Sequence, residues 1–261
     1  MLALSCALAL LPAFQTWKLV WSDEFNSGTK PDPSKWTYEE GFVRNQELQW
    51  YQPDNARVEK GHLVIEARRE EKSNSNWLDK TPDWRRSRKS ASYTSAALET
   101  RKLHDWTFGR FEVRAKIDPQ QGLWPAIWFL GYGPWPLNGE LDLMEYYQST
   151  VLANAAWGKG EWDTSKTPLS HFTDRDKRWG EKYHVWRMDW DREWIRMYLD
   201  GELRNEIDLS KTINPDGTNP FHQPHFIILN LAIGSTGGDP SPLSFPRRFE
   251  VDYVRVYQRN T

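Results

Sequence analysis

The feature that most limits what this chain can fold into is its alternation. Leu63–Ala67, Phe111–Ile117, Trp194–Leu199 and Phe249–Tyr257 place apolar or aromatic residues at every second position. Successive side chains of an extended strand point to opposite faces, so a period of two gives one buried face and one wetted face. The β-branched and aromatic content of these runs suits a pleated, half-buried surface. Turn chemistry separates them at Glu59-Lys60-Gly61, Asp200-Gly201 and Pro215-Asp216-Gly217. Asp-Gly between two apolar runs predicts a tight hairpin. No stretch holds helical spacing over three turns, no segment repeats, and no Pro/Ser-rich linker divides the chain. At 261 residues it lies near the size that β-sandwiches reach as one unit. The expectation is a single all-β domain over residues 16–261, made of two packed antiparallel sheets.

Composition narrows the partners. A formal charge of −2 gives no global attraction to nucleic acid or to an anionic membrane. The apolar run Leu2–Ala13 is too short to span a bilayer and sits where a signal peptide's apolar region would sit. Residues 1–15 therefore read as a signal peptide, and the protein as a secreted or periplasmic monomer. Cys6, the only cysteine, falls in that run, which leaves the mature chain without a disulfide. Sixteen tryptophans are several times the average usage of roughly one to two per cent. A core absorbs about half of them; the rest suggest flat apolar surfaces for a ligand such as a sugar ring. Residues 68–89 are polar, with eight basic and four acidic side chains beside Trp77 and Trp84. This segment is a solvated loop or a basic lip for an acidic or sulfated polysaccharide.

The most informative stretch is Gly139-Glu140-Leu141-Asp142-Leu143-Met144-Glu145-Tyr146. On a strand, Glu140 and Asp142 share a face, and strict alternation would put Met144 beside them. A one-residue bulge after Asp142 restores the phase and brings Glu145 round instead, with Leu141 and Leu143 turned to the core. Gathered acids repel, and neither a core nor a plain surface explains them. Glycoside hydrolysis with retention does, because it needs two carboxyl groups about 5–5.5 Å apart, one nucleophilic and one protonated. Asp142 between them would hydrogen-bond the nucleophile, and its negative charge would help keep the acid protonated. A metal site of three carboxylates is the competing reading, although hard cations usually draw ligands from a loop.

The Glu-x-Asp-x-x-Glu pattern after Gly139 resembles the bulged active-site strand of glycoside hydrolase family 16. The resemblance runs from Leu19–Phe25 to Val251–Tyr257, through Asn45–Gln49, Tyr93–Ala96, Gly109–Glu112, Gly122–Trp128 and Leu229–Gly234. It implies a jelly-roll sandwich, concanavalin-like, with a concave substrate cleft. It further implies Glu140 as nucleophile, Asp142 as its helper and Glu145 as acid/base. Trp124 would be a sugar-stacking platform, with Asn45 and Glu47 as hydroxyl-binding groups and Trp128 either a platform or core. No cofactor is required for the chemistry. Some relatives hold a structural calcium on the convex face, for which Glu24, Gly61 and Asp252 are the candidates; equally, Asp252 caps a hydrogen-bond network. The scattered histidines have no metal spacing.

Two positions depart from the laminarinase pattern: Ala97 stands where many have arginine, and Asn154-Ala155-Ala156-Trp157 stands where they carry a histidine. Trp157 is thereby placed near the acceptor side. The implied activity is endo-cleavage of β-1,3-glucan or mixed-linkage β-1,3-1,4-glucan. An agarase- or porphyranase-like galactanase is the alternative, and a non-catalytic carbohydrate-binding protein the third reading.

Overall fold

A computed structural model describes residues 16–259; the expected signal peptide and Cys6 lie outside them. Two antiparallel sheets of eight and seven strands carry the fold. The eight-stranded sheet runs Glu202–Asp208, Trp194–Leu199, His184–Trp190, Gly109–Lys116, Arg247–Arg259, His62–Ala67 and Ala56–Glu59, with Trp17–Asp23 pairing the long C-terminal strand. The seven-stranded sheet runs Glu161–Pro168, Thr150–Trp157, Glu140–Tyr147, Leu123–Gly131, His225–Ile233, Ala97–Glu99 and Thr37–Tyr38. This is the expected jelly-roll sandwich. The expected hairpin is present too: Asp200 and Gly201 both take positive φ and join strands whose last pair is Leu199 with Glu202.

The inward positions of both sheets meet in one core. Phe111 of one sheet meets Phe129 of the other edge-to-face, with centroids 4.9 Å apart. Trp36, Trp106, Trp179, Trp186 and Trp190 are buried in the same core, which accounts for much of the tryptophan content. The outward face of the eight-stranded sheet carries ion pairs such as Arg110–Asp189 and Arg196–Glu206.

The outward face of the seven-stranded sheet differs. Ala126, Trp128, Phe226 and Ile228 form a separate small apolar cluster there. Ala126 and Trp128 of this cluster line a groove of about 720 Å³, whose walls come from five adjacent strands of the sheet and from the connections that carry Arg44, Asn45, Glu47, Arg85, Trp135 and Thr236. Alternation puts Ile127 and Phe129 in the core and Trp124, Ala126 and Trp128 in the groove.

Candidate active site

The acidic strand lies in the middle of this groove. Asp142 pairs with Trp128 on one side and Asn154 on the other, Met144 with Ile127, and Glu145 with Ala126 and Leu152. Two residues of the strand thus pass for one of its neighbour, and Leu143 is the extra one. Leu143 and Met144 both enter the core, with Leu141 and Tyr146. The bulge falls where the sequence requires it, and Glu140, Asp142 and Glu145 line one groove.

Burial and neighbours then separate the three acids. Burial pushes Glu145 up to about 7; the charge of Glu140 adds to the rise, while donors from Trp124 and Asn154 oppose it. Trp124 Nε1 donates to Glu145 Oε1 at 2.8 Å, and Asn154 Nδ2 donates to Glu145 Oε2 at 2.8 Å. Glu140 is also raised by burial, but a hydrogen bond from Trp135 and the charge of Arg44 favour its ionised form. Trp135 Nε1 donates to Glu140 Oε2 at 2.8 Å. Asp142 is raised well above the usual carboxylate range by burial, and both glutamates add to it. This rise favours the protonated form of Asp142, which can donate to its flanking carboxylates. This corrects the expectation that its negative charge holds Glu145 protonated: burial and the Glu140 charge do so.

The remaining sugar-site residues divide. Trp124 stands on the groove wall, edge-to-face with Tyr147 at 5.4 Å. Asn45 and Glu47 line the same groove, and Asn45 Nδ2 lies 3.3 Å from Glu47 Oε1. Gln49 holds the other Glu47 oxygen at 2.6 Å. Trp128 is floor instead of platform: it is 7% exposed, donates Nε1 to Asn230 Oδ1 at 2.7 Å, and lies under the Arg44 guanidinium at 4.9 Å. Trp157 is a correction. It packs on the main core, edge-to-face with Phe221, and does not line the groove. Asn154 faces the groove, so a residue three positions along the strand must face away.

Two exposed tryptophans stand in the groove where Trp157 does not. Trp135 and Trp162 are 54% and 47% exposed, line the groove beside Glu140, and stand 6.4 Å apart at 54°. Trp162 alternates with Thr164 and Lys166 on the edge strand, and all three line the groove; that period was readable. Trp135 sits in the turn before Glu140, where only the tertiary fold places it. Arg44 and Asn154 are the other contributors that sequence reasoning missed.

The proposed calcium ligands lie on the convex face. Glu24 accepts two hydrogen bonds from Arg255 at 2.9 and 2.8 Å. Asp252 accepts from Arg114 at 2.5 Å and has His62 at 3.6 Å. Gly61 makes the neighbouring turn at φ +78°. Both carboxylates already carry cationic partners, so a calcium ion would have to displace Arg114 from Asp252. Among the described residues, no three His, Cys, Asp or Glu side chains are grouped to hold a metal ion.

Comparison with known proteins agrees with this geometry. A β-glucanase of Rhodothermus marinus is 36% identical over 93% of this chain and 85% of its own length. The laminarinase catalytic domain of Thermotoga maritima superposes with a TM-score of 0.80 at 32% identity, covering 94% of this chain and 99% of that one. A structure from work on endo-acting O-glycanases, with which human gut bacteria initiate mucin breakdown, gives a TM-score of 0.85 at 35% identity, covering 95% and 92%. Residues 44–255 match the family described as glycosyl hydrolases family 16. With that match across the acidic strand, its groove and both sheets, the chain belongs to glycosyl hydrolases family 16 and is a glycoside hydrolase.

Proposed function

We propose that the protein is a retaining endo-β-glucanase that cuts β-1,3-glucan or mixed-linkage β-1,3-1,4-glucan. One observation carries the mechanism: the bulge puts Glu140 and Glu145 in one groove, where burial raises Glu145 to about 7 while Trp135 and Arg44 support the ionised form of Glu140. Glu140 attacks the anomeric carbon while Glu145 gives its proton to the leaving glycosidic oxygen. The bond from Glu140 to the sugar replaces the bond to the leaving chain. Water, deprotonated by Glu145, then displaces Glu140 and restores both carboxyl groups. Asp142, held neutral, donates a hydrogen bond to the carboxylate of Glu140 as its charge changes. A groove open along the sheet suits attack within a chain, and Trp124, Trp135 and Trp162 offer flat faces to successive sugars.

The substrate follows from the glucan-directed names of similar proteins. The likeness to the O-glycanase structure favours a second reading, cleavage inside a mucin O-glycan, beside the galactanase alternative raised by the sequence. Export of the chain as a monomer is part of the proposal, supported by the apolar run at Leu2–Ala13 and by a substrate too large to enter a cell. Laminarin, lichenan, agarose, porphyran and mucin O-glycans form the deciding panel, with the anomer of the first product followed by NMR. A β product from either glucan upholds the proposal. An α first product refutes the two-glutamate mechanism. Cleavage of mucin O-glycans alone moves the substrate to the second reading, and of agarose or porphyran alone to the galactanase. No cleavage of any of them would favour a binding protein.

A further inference from the structure

The basic segment of residues 68–89 has no part in the catalytic step, and its five arginines divide into two sets. The first set holds the chain together. Arg88 lies 5.0 Å from the ring centroids of both Phe42 and Trp84 and donates to the carbonyls of Glu47 and Gln46 at 2.5 and 3.0 Å. Asn45 and Gln46 take positive φ, so Arg88 braces a strained turn that carries groove residues. Arg69 reaches the carbonyls of Pro240, Ser241 and Leu243, and Arg68 pairs with Glu66. These guanidinium groups are occupied by the protein itself.

Arg85 and Arg86 form the second set. Each is fixed through Nε on a backbone carbonyl, Val43 at 2.8 Å and Asn76 at 3.3 Å. Among the described residues, their terminal nitrogens have no hydrogen-bond acceptor. Arg85 Nη1 forms a loose ion pair with Asp83 at 3.7 Å, and its guanidinium lies 5.0 Å from the Trp84 ring centroid; Asp83 also accepts the backbone N–H of Arg85 at 3.0 Å. Both arginines line a hollow of about 470 Å³ together with Trp77, Asn76 and Phe42. Trp77 is 41% exposed, with the Lys89 ammonium 5.2 Å from its ring centroid. Arg85 also lines the catalytic groove, so the hollow adjoins it.

We propose that this hollow, next to the groove at Arg85, is a sugar-binding subsite that takes a residue bearing an anionic substituent, a sulfate ester or a carboxylate. The proposal rests on the reading that the groove holds a polysaccharide. An exposed indole provides a face for a pyranose, and anchored guanidinium groups present planar N–H forks that match sulfate and carboxylate oxygens. Two arginines line the hollow against one carboxylate, Asp83, and the Lys89 ammonium stands over Trp77, which favours negative charge. The site is open to solvent, so its contribution is modest and falls with added salt. It sets which chains bind, and leaves bond cleavage to Glu140 and Glu145.

Calorimetry on the full chain carrying Glu140→Gln tests the subsite apart from turnover. Laminarin, sulfated laminarin and carboxymethyl-laminarin are compared at low ionic strength. At least one anionic polymer should bind about fivefold more tightly than the parent, the scale of an exposed ion pair; the two arms tell sulfate from carboxylate. Adding Arg86→Ala or Trp77→Ala should bring the affinities together, whereas Arg86→Lys should keep part of the preference. Equal affinities without these changes, or a preference that survives the Arg86→Ala/Trp77→Ala pair, overturn the proposal. If no laminarin binds, the glucan reading fails, and the same comparison of agarose with its sulfated relative porphyran decides the subsite.

Discussion

Replacing Trp124 with phenylalanine separates its two roles, because the ring stays while the N–H that bonds Glu145 is lost. That N–H stabilises the ionised form of Glu145, so removing it favours the protonated form and raises the pKa above about 7. A hydrogen bond to a charged group contributes roughly 1.5–3 kcal/mol, and one pKa unit corresponds to about 1.4 kcal/mol, which sets a ceiling of about one to two units. Asn154 still donates to the other oxygen, and solvent in the groove screens the rest, so the expected shift is about one unit. In kcat/KM against pH the acid/base must be protonated in the free enzyme, so activity falls as pH rises through its pKa. The alkaline limb should therefore move from near 7 to about 8 in Trp124→Phe. Rates are measured on the polymer from about pH 5 to pH 9, spanning both limbs. An unmoved limb with uniformly lower rates, or a limb shifted downward, would refute the assignment of Glu145 as the acid whose proton Trp124 modulates.

The same shift bears on stability. Glu145 has a folded pKa raised above its ordinary value, so its favourable contribution is complete below about pH 4.5 and is lost as pH rises through 7. Glu145→Gln should thus gain about 1–2 kcal/mol more at pH 8 than at pH 4, after discounting for solvent in the groove, and paired thermal melts read it. Trp157→Ala should cost about 3–4 kcal/mol of stability with KM little changed. Trp162→Ala should raise KM severalfold and leave stability within about 0.5 kcal/mol; the opposite pattern in melts and kinetics would return Trp157 to the groove. Trp128→Phe leaves the buried Asn230 Oδ1 without its donor, and urea unfolding should show a loss of about 1–3 kcal/mol.

The two sheets were legible because alternation at Phe111–Ile117 and Phe249–Tyr257 is a local property, and the acidic strand because its phase fails at one residue. Trp157 was misplaced for want of counting from Asn154: an odd separation on a regular strand reverses the face. The same count, carried into Glu161–Pro168, would have put Trp162, Thr164 and Lys166 on the groove side. Trp135 and Arg44 were not legible, since a turn and a distant loop bring them to Glu140. The rise at Asp142 was equally hidden, because it follows from burial within the packed sheet and not from the strand's own pattern. The basic residues 68–89 looked uniform as text, yet the fold assigns the terminal nitrogens of Arg88 to backbone carbonyls and turns Arg85 and Arg86 to a hollow beside the groove.

The extra residue at Leu143 acts on the strand as a parity change. In a regular strand, a one-residue insertion or deletion turns every later side chain to the wrong face. Here Leu143 and Met144 occupy consecutive inward positions, so deleting Leu143 would leave Glu140-Leu141-Asp142-Met144-Glu145 in plain alternation. All three acids would still face the groove, while the two glutamates would stand one residue closer. Spacing and facing are thus independent variables at this one position. The strand can change the reach between its two glutamates without turning either of them into the core.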